Sequence, residues 1–564
     1  MDIEQLLIFT LLFGSTVLLA WPLGKYMRWV FSDELPSVLI FSSIENRIFK
    51  FARIDPNQAM GLGQYLRAFL TLNLLWVVYG FTLLLFQGNL PLNPDANPSM
   101  EWPLALHSAI SFITSTNLQH YSGETGATYF SQVAVFSLLQ FVSAAASLAV
   151  GVAVVRSLGR QNACLGNFYA DFLHSATRIL FPLCLIVSAL FLMRGMPMTF
   201  SGAETLHTLQ GDTIKVSTGP VASMIPIKEL GSNGGGFFGT NDAHPFENPD
   251  TLTYIVHYVI VLLLPIAFLF FTGFYLGNRR FAWMVFSVML AGFIFVSVPI
   301  IFQEQTGNPA VAAMGIDISG GNMEGKETRF GPFLSALYAG ENACVPAGTI
   351  TAMHDSFMPL SGLVMMVGMQ IDAFFGGLGT GWINMFLYLI VAVFLGSLMI
   401  GRTPELFGRK IGIAEVQLAV IASVLQLAIP MSLTAVASCL YSVHGDGLGW
   451  LSNPGAHGLA TMHYEFVSAS AGNGSGFEGL GDNTPFWNLS TSIAMLTGRF
   501  VPIIAALCIG WRISQKKTVE ASAGTLRTES ATFGIFLFLT IIILNALCSF
   551  PIFSLGPLSE YFSL

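Results

Sequence analysis

The chain has 564 residues, of which 53% are hydrophobic and only 10% carry a charge, against roughly 25% charged in a soluble domain. With a mean hydropathy of +0.65, that balance excludes a water-soluble globule and implies an all-α polytopic membrane protein. The net charge of −8 is spread over loops and leaves no basic footprint for nucleic acid.

The N-terminus reads Met1-Asp2-Ile3-Glu4, acidic where a secretory signal is basic, and runs straight into a full-length apolar segment. This predicts a retained first helix rather than a cleaved peptide. Apolar runs near or above the ~20 residues needed to cross a bilayer follow at about 4–24, 63–87, 129–155, 174–194, 252–277, 281–302, 416–441, 484–511 and 531–553. A further stretch, 357–400, is long enough to cross twice but is interrupted by Gly376-Gly377-Leu378-Gly379-Thr380-Gly381.

Charge decides between one crossing and two. Read as one broken crossing, ten spans result, and 18 of the 24 basic residues, from Lys25 through Arg160 to Arg527, fall on one side. Only Arg194, Lys215, Lys228, Lys326 and Arg329 fall on the other, with Arg499 inside a span. The positive-inside rule then places both termini outside. Two crossings would put Arg402, Arg409 and Lys410 on the outer side and invert everything after them. Cys164, Cys184, Cys344, Cys439, Cys508 and Cys548 are scattered without ligand spacing, which points to packing.

Between the middle eight spans lie four segments of one design: a short run too brief to cross, then a tail rich in Gly, Asn, Ser and Thr. They are Pro103–Gln119, Pro220–Gly236, Pro332–Ile350 and Ala460–Gly476. Irregular backbone between spanning helices must be satisfied by protein or by a water-filled path, so these are read as re-entrant pore loops rather than plain external loops.

The organisation is thus an extra helix and loop (1–60), four helix–pore loop–helix repeats (61–160, 161–278, 279–410 and 411–515) and a last extra helix (516–564), the repeats pseudo-fourfold about one axis. Pro103, Pro220 and Pro332 suit helix starts, where a missing N–H costs nothing. Gly231-Ser232-Asn233-Gly234-Gly235-Gly236-Phe237 aligns without a gap on Ala471-Gly472-Asn473-Gly474-Ser475-Gly476-Phe477.

That alignment puts Asn117, Gly234, Gly348 and Gly474 at equivalent depth. A helix of about 11 residues covers roughly 17 Å, so its negative end lies near mid-membrane and favours a cation there, while glycine lets successive carbonyls turn to the axis. The expected filter comprises Thr116, Asn117, Gln119, Asn233, Gly234, Gly235, Gly348, Thr349, Asn473, Gly474 and Ser475, with a dehydrated cation at Asn117, Gly234, Gly348 and Gly474. Gln119 and Tyr121 either narrow the mouth or pack. Glu124, Asp242, Glu247, Glu478 and Asp482 either concentrate cations at the outer face or are ordinary solvated loop charge.

The strings Thr114-Ser115-Thr116-Asn117-Leu118-Gln119, Ser232-Asn233-Gly234-Gly235-Gly236-Phe237-Phe238, His244-Pro245-Phe246-Glu247-Asn248-Pro249, Ala352-Met353-His354-Asp355-Ser356-Phe357, Ile400-Gly401-Arg402-Thr403-Pro404-Glu405 and Pro485-Phe486-Trp487-Asn488 resemble the KdpA family. These are the potassium-binding subunits of bacterial Kdp potassium-transporting ATPases. The resemblance covers nearly the whole chain and implies the fold of the superfamily of K+ transporters, filter positions at Asn117, Gly234, Gly348 and Gly474, and an influence of Gln119 on apparent potassium affinity.

It also implies residence in the bacterial inner membrane, K+ as the bound substrate with no organic cofactor, and a P-type ATPase partner (KdpB) that uses the ATP. An accessory subunit (KdpC) and a small single-span subunit (KdpF) are the further partners implied. Glu341-Asn342-Ala343-Cys344-Val345-Pro346 is more polar than the family pattern leads one to expect. Consistent with a non-hydrolysing subunit, the chain carries no GxxxxGK[ST] loop and no Asp-Lys-Thr-Gly string.

Arg499, inside a span at a cost of roughly 2.5–3.5 kcal/mol, is expected to point into the vestibule below the filter and act as a pore barrier, or else to pair with a carbonyl or Asp372. The alternatives are a stand-alone potassium channel or symporter of the Trk, Ktr or HKT type, and an intramembrane enzyme around His354 and Asp355. For His354-Asp355, His463 and Glu465 no spacing assembles a metal site or nucleophile.

Overall fold

The computed structural model describes residues 3–32, 39–159, 164–518 and 526–564; Arg160, counted above among the inner charges, lies outside them. Among the described residues ten helices are long and apolar enough to cross a membrane. Such runs become helices because only a helix satisfies every backbone N–H and C=O within the segment itself.

Within the stretch at 357–400 the helix is broken. Pro359–Ile371 ends where Asp372 turns left-handed (φ 41°), and helix resumes over Thr380–Met399. The break requires glycine at Gly376 and Gly381, since a Cβ on Gly376 would lie 2.3 Å from the Gly381 α-carbon.

Four short helices follow the first helix of each middle pair: Trp102–Ile113, Val221–Leu230, Gly331–Cys344 and Ala456–Ala471. Pro103 and Pro332 occupy first turns, while Pro220 caps the second helix from outside. The fourth begins at Ala456, four residues ahead of the expected start.

Within the pairs the second helix is generally the more enclosed. Ser131–Ser157, Thr251–Tyr275, Thr380–Met399 and Pro485–Ser514 are 89%, 89%, 78% and 56% buried over their apolar windows, against 28%, 33%, 56% and 39% for their partners. The second helices therefore form the inner wall around the short helices. The first helix, Ile3–Val30, lies along Thr251–Tyr275, with Gly24 so close that a Cβ would meet the Ala267 carbonyl at 2.8 Å. Ala531–Leu555 packs against Arg279–Thr306 at the far edge.

Three features go beyond the sequence expectation. An amphipathic helix, Leu39–Ala52, docks through Glu45 on Arg178 (Nε to Oε1, 2.9 Å). A small hairpin pairs Glu204–His207 with Thr213–Val216, and a short helix, Pro557–Ser563, closes the C-terminus. Of the cysteines assigned to packing, Cys184 and Cys344 are buried, whereas Cys439 is exposed.

Candidate functional site: four loops closed into one ring

The tails of the first, second and fourth short helices fold back by one hydrogen-bond pattern. Thr116, Asn233 and Asn473 donate their N–H groups to the carbonyls five residues earlier, of Ser111, Lys228 and Ser468. The next residue donates to the same helix position: Asn117 to the Ser111 carbonyl, Gly234 to that of Lys228, and Gly474 to the Ser468 hydroxyl. Two left-handed residues make this possible in each loop: Ser115 and Asn117, Ser232 and Gly234, Gly472 and Gly474. Asparagine and glycine are the residues that tolerate this region best.

The third tail departs from the pattern. Gly348 is left-handed (φ 63°), but Pro346 stands two residues before it and cannot be, because its ring locks φ near −65°. The carbonyl of Asn342, which the pattern would give to a residue of its own loop, accepts instead from Asn473 Nδ2 at 2.9 Å.

The loops meet in chain order and close. A Cβ on Gly234 would lie 1.5 Å from the Ala347 carbonyl oxygen, one on Gly348 2.4 Å from that of Asn473, and one on Gly474 1.9 Å from that of Thr116. Between the first and second loops, Gln119 Nε2 donates to the Gly236 carbonyl (3.1 Å) and the Gly236 N–H donates to Gln119 Oε1 (2.9 Å). Gln140 Nε2 ties Asn117 Oδ1 to the Gly235 carbonyl from behind. Asn117, Gly234, Gly348 and Gly474, read as equivalent from spacing, thus stand side by side with the same backbone sign, and Thr116, Asn233, Gly235, Thr349, Asn473 and Ser475 flank them.

The family model for KdpA, the potassium-transporting ATPase A subunit, matches residues 10–562. The chain belongs to the KdpA family. Curated relatives named potassium-transporting ATPase potassium-binding subunit include those of Flavobacterium psychrophilum, 46% identical with 98% of both chains covered, and Geobacillus kaustophilus, 42% identical with 99% of both covered. Among solved structures the potassium transporter TrkH from Vibrio parahaemolyticus is similar at 15% identity and TM-score 0.48, over 90% of this chain and 98% of that one.

Below the ring of this KdpA-family chain lies a small cavity of ≈ 10 Å³ bounded by Ser115, Ser232, Pro346 and Gly472, one residue from each loop, by Gly377 and Thr380 of the helix break, and by Arg499. The Arg499 guanidinium donates to the hydroxyls of Ser115 (3.2 Å), Thr380 (3.4 Å) and Ser147. Asp372 accepts from Asn384 Nδ2 at 2.6 Å, and no ion pair joins it to Arg499 among the described residues. Above the ring, a wider pocket of ≈ 590 Å³ runs past Gly239, Lys326, Ile350, Met353 and Glu478.

The acids expected at the outer face divide. Glu478 is exposed, and Glu124, half-buried, accepts the Gly239 N–H at 2.8 Å. Asp242 and Glu247 correct the expectation of an outer cation-attracting charge: both are fully buried and bind Lys228 Nζ at 2.6 and 2.8 Å. Lys228 is correspondingly a buried charge of the second short helix rather than an outer loop cation. Gln119 bridges two loops, and Tyr121 stacks on Phe136.

His354 and Asp355 do not combine. His354 Nδ1 lies 3.0 Å from the Tyr464 hydroxyl, and Asp355 pairs with His457 at 3.0 Å. His463 meets Thr434. Sequence reasoning missed His120, whose Nε2 lies 3.0 Å from Glu465 Oε1 and whose Nδ1 lies 2.7 Å from Asn488 Oδ1. Its only signal was a histidine directly after Gln119.

Proposed function

We propose that this chain is the potassium-binding and translocating subunit of an ATP-driven potassium uptake complex in the bacterial inner membrane. K+ arrives from the periplasmic side, where both termini lie. It exchanges its water for peptide oxygens of the ring at Asn117, Gly234, Gly348 and Gly474, and is passed to a P-type ATPase subunit. KdpB supplies the ATP-driven step, with KdpC and KdpF completing the assembly.

The observation that supports this most is the closed ring. Four loops in chain order, each with a left-handed residue at the same position, press carbonyl oxygens of Thr116, Ala347 and Asn473 against neighbouring glycine α-carbons. Carbonyl oxygens at this density replace a hydration shell without a net charge to trap the ion, and the C-terminal ends of the four short helices add their partial negative charges. One oxygen is less free: the Gly234 carbonyl accepts from Asn241 Nδ2 at 2.6 Å, so at that corner a cation competes with an amide.

Each helix–loop–helix segment acts as one repeat of the fourfold, and Arg499 serves as the barrier that keeps ions from leaving straight through the small cavity beneath. Co-purification of the chain with an ATPase subunit, followed by potassium-stimulated ATP hydrolysis, tests the reading. ATP-independent potassium uptake by this chain alone in liposomes would replace it with a channel or symporter of the Trk, Ktr or HKT type.

A further inference from the structure

Lys228 is wholly buried, and three carboxylates converge on its ammonium: Asp242 at 2.6 Å, Glu247 at 2.8 Å and Glu229 at 3.3 Å. Burying an ammonium is costly unless it is paired and hydrogen-bonded, so this cluster is costly to dismantle and holds its geometry. Lys228 is connected to the ring by two routes. Its carbonyl accepts the N–H groups of Asn233 (2.8 Å) and Gly234 (3.3 Å), the turn that sets the second loop.

Through Asp242 the cluster also reaches the third loop. Asp242 Oδ2 accepts from the hydroxyls of Thr349 and Tyr338 (2.6 Å), and Thr349 Oγ1 lies 3.1 Å from Glu229 Oε1. Thr349 follows Gly348 directly. On the far side, Glu247 Oε1 accepts the Phe238 N–H at 2.7 Å, and His257 Nδ1 lies 3.1 Å from Glu229. The third loop lacks the fold-back bonds that hold the other three, and this side-chain bond to Asp242 stands where they are missing.

We propose that Lys228, Asp242 and Thr349 form a buried clamp that sets the spacing of the second and third loops and thereby the discrimination between K+ and its larger and smaller congeners. The proposal rests on the ring being the ion site. Thr349 is the member within the ring, while Lys228 and Asp242 are positioning residues that act through it and through the Asn233–Gly234 turn. A carbonyl site selects by holding its oxygens at a set separation and number, so releasing one loop changes ion preference before it changes turnover.

The test is uptake of K+ and Rb+ by cells that depend on the intact transporter containing this chain, comparing Asp242→Asn and Thr349→Val with wild type and with Gly234→Asp. Thr349→Val removes the hydroxyl that donates to Asp242, and Asp242→Asn weakens the carboxylate that serves Thr349, Tyr338 and Lys228 together, hydrogen bonds to a charged group in each case. The expected result is an approximately tenfold rise in the half-saturating K+ concentration, with the Rb+/K+ ratio moving towards one and maximal velocity changed much less.

A role in folding alone would lower protein amount and velocity and leave the ion ratio fixed. Asp242→Asn and Thr349→Val that accumulate normally in the membrane and keep the wild-type ratio, while Gly234→Asp alters it, overturn the clamp and leave the ring as ion site. If Gly234→Asp also leaves the ratio unchanged, the ion-site reading fails and the clamp with it. Lys228→Met, which removes the ammonium that three buried carboxylates share, is expected to reduce the amount of folded protein.

Discussion

At the residue scale, the ring depends on backbone that no Cβ can share. Gly474 combines φ 98° with a neighbouring carbonyl 1.9 Å from where a Cβ would be. The strained conformation alone costs about 1–2 kcal/mol for an L-residue, and the collision is additional. Gly474→Ala, the smallest possible change, is therefore expected to loosen discrimination against Rb+ or Na+. Flux measurements showing wild-type preference would refute the close approach.

Gln119 presents a different case, since its amide makes two bonds to the Gly236 peptide. At about 1 kcal/mol each, their loss in Gln119→Ala should raise half-saturating potassium by about tenfold or more. Gln119→Arg, which adds a positive charge beside the ring, should raise it further, and uptake titrations compare the two.

The element scale concerns how helices are held to one another around the ring. His457, in the first turn of the fourth short helix, bridges Asp355 (3.0 Å) and Glu560 of the C-terminal helix Pro557–Ser563 (2.9 Å). Burial lowers its pKa, but the hydrogen bonds to Asp355 and Glu560 outweigh it and push the value up to about 10.

The folded value stands above the unfolded one, about 6.5, so the contribution is full below pH 6.5 and is lost as pH rises towards 10. Carboxypeptidase release of the C-terminal residues should accelerate across that window. In His457→Gln it should be fast at every pH; a flat profile in the wild type would contradict the bridge. The broken helix works by the opposite means, with two glycines in backbone contact and no ion pair among the described residues, and it brings Thr380 within reach of Arg499.

At the scale of the whole molecule the questions are sidedness and leak. Leu209 lies exposed in the turn of the small hairpin and Asn57 on an exposed segment beyond Leu39–Ala52. In a cysteine-free background, Leu209→Cys should react with a membrane-impermeant maleimide in intact spheroplasts, and Asn57→Cys only after permeabilisation. The reverse pattern would invert the topology. Arg499 donates to three hydroxyls below the ring and lines the cavity there. Arg499→Gln should admit an ATP-independent potassium leak in proteoliposomes of the assembled transporter, and a sealed, correctly folded variant would remove the barrier role.

The sequence by itself determined what depends on neighbours along the chain. Ten apolar runs, a glycine break, four tails of small residues and a family-wide set of motifs were all legible, because hydropathy and backbone tolerance are written locally. The third loop stood out only as the polar run from Glu341 to Pro346, and the consequence of Pro346 for its backbone emerged with the fold.

Only the tertiary structure decided which groups meet. Asp242 looks like a loop acid until the fold closes it over Lys228 and against Thr349, 107 residues further on; Gln119 looks like a pore side chain until Gly236 arrives beside it; His120 carries no meaning until Glu465 does. Charge pairing and close approach are set by distance in space. Four loops separated by whole spanning helices acquire that proximity only when the inner helices pack and the ring closes.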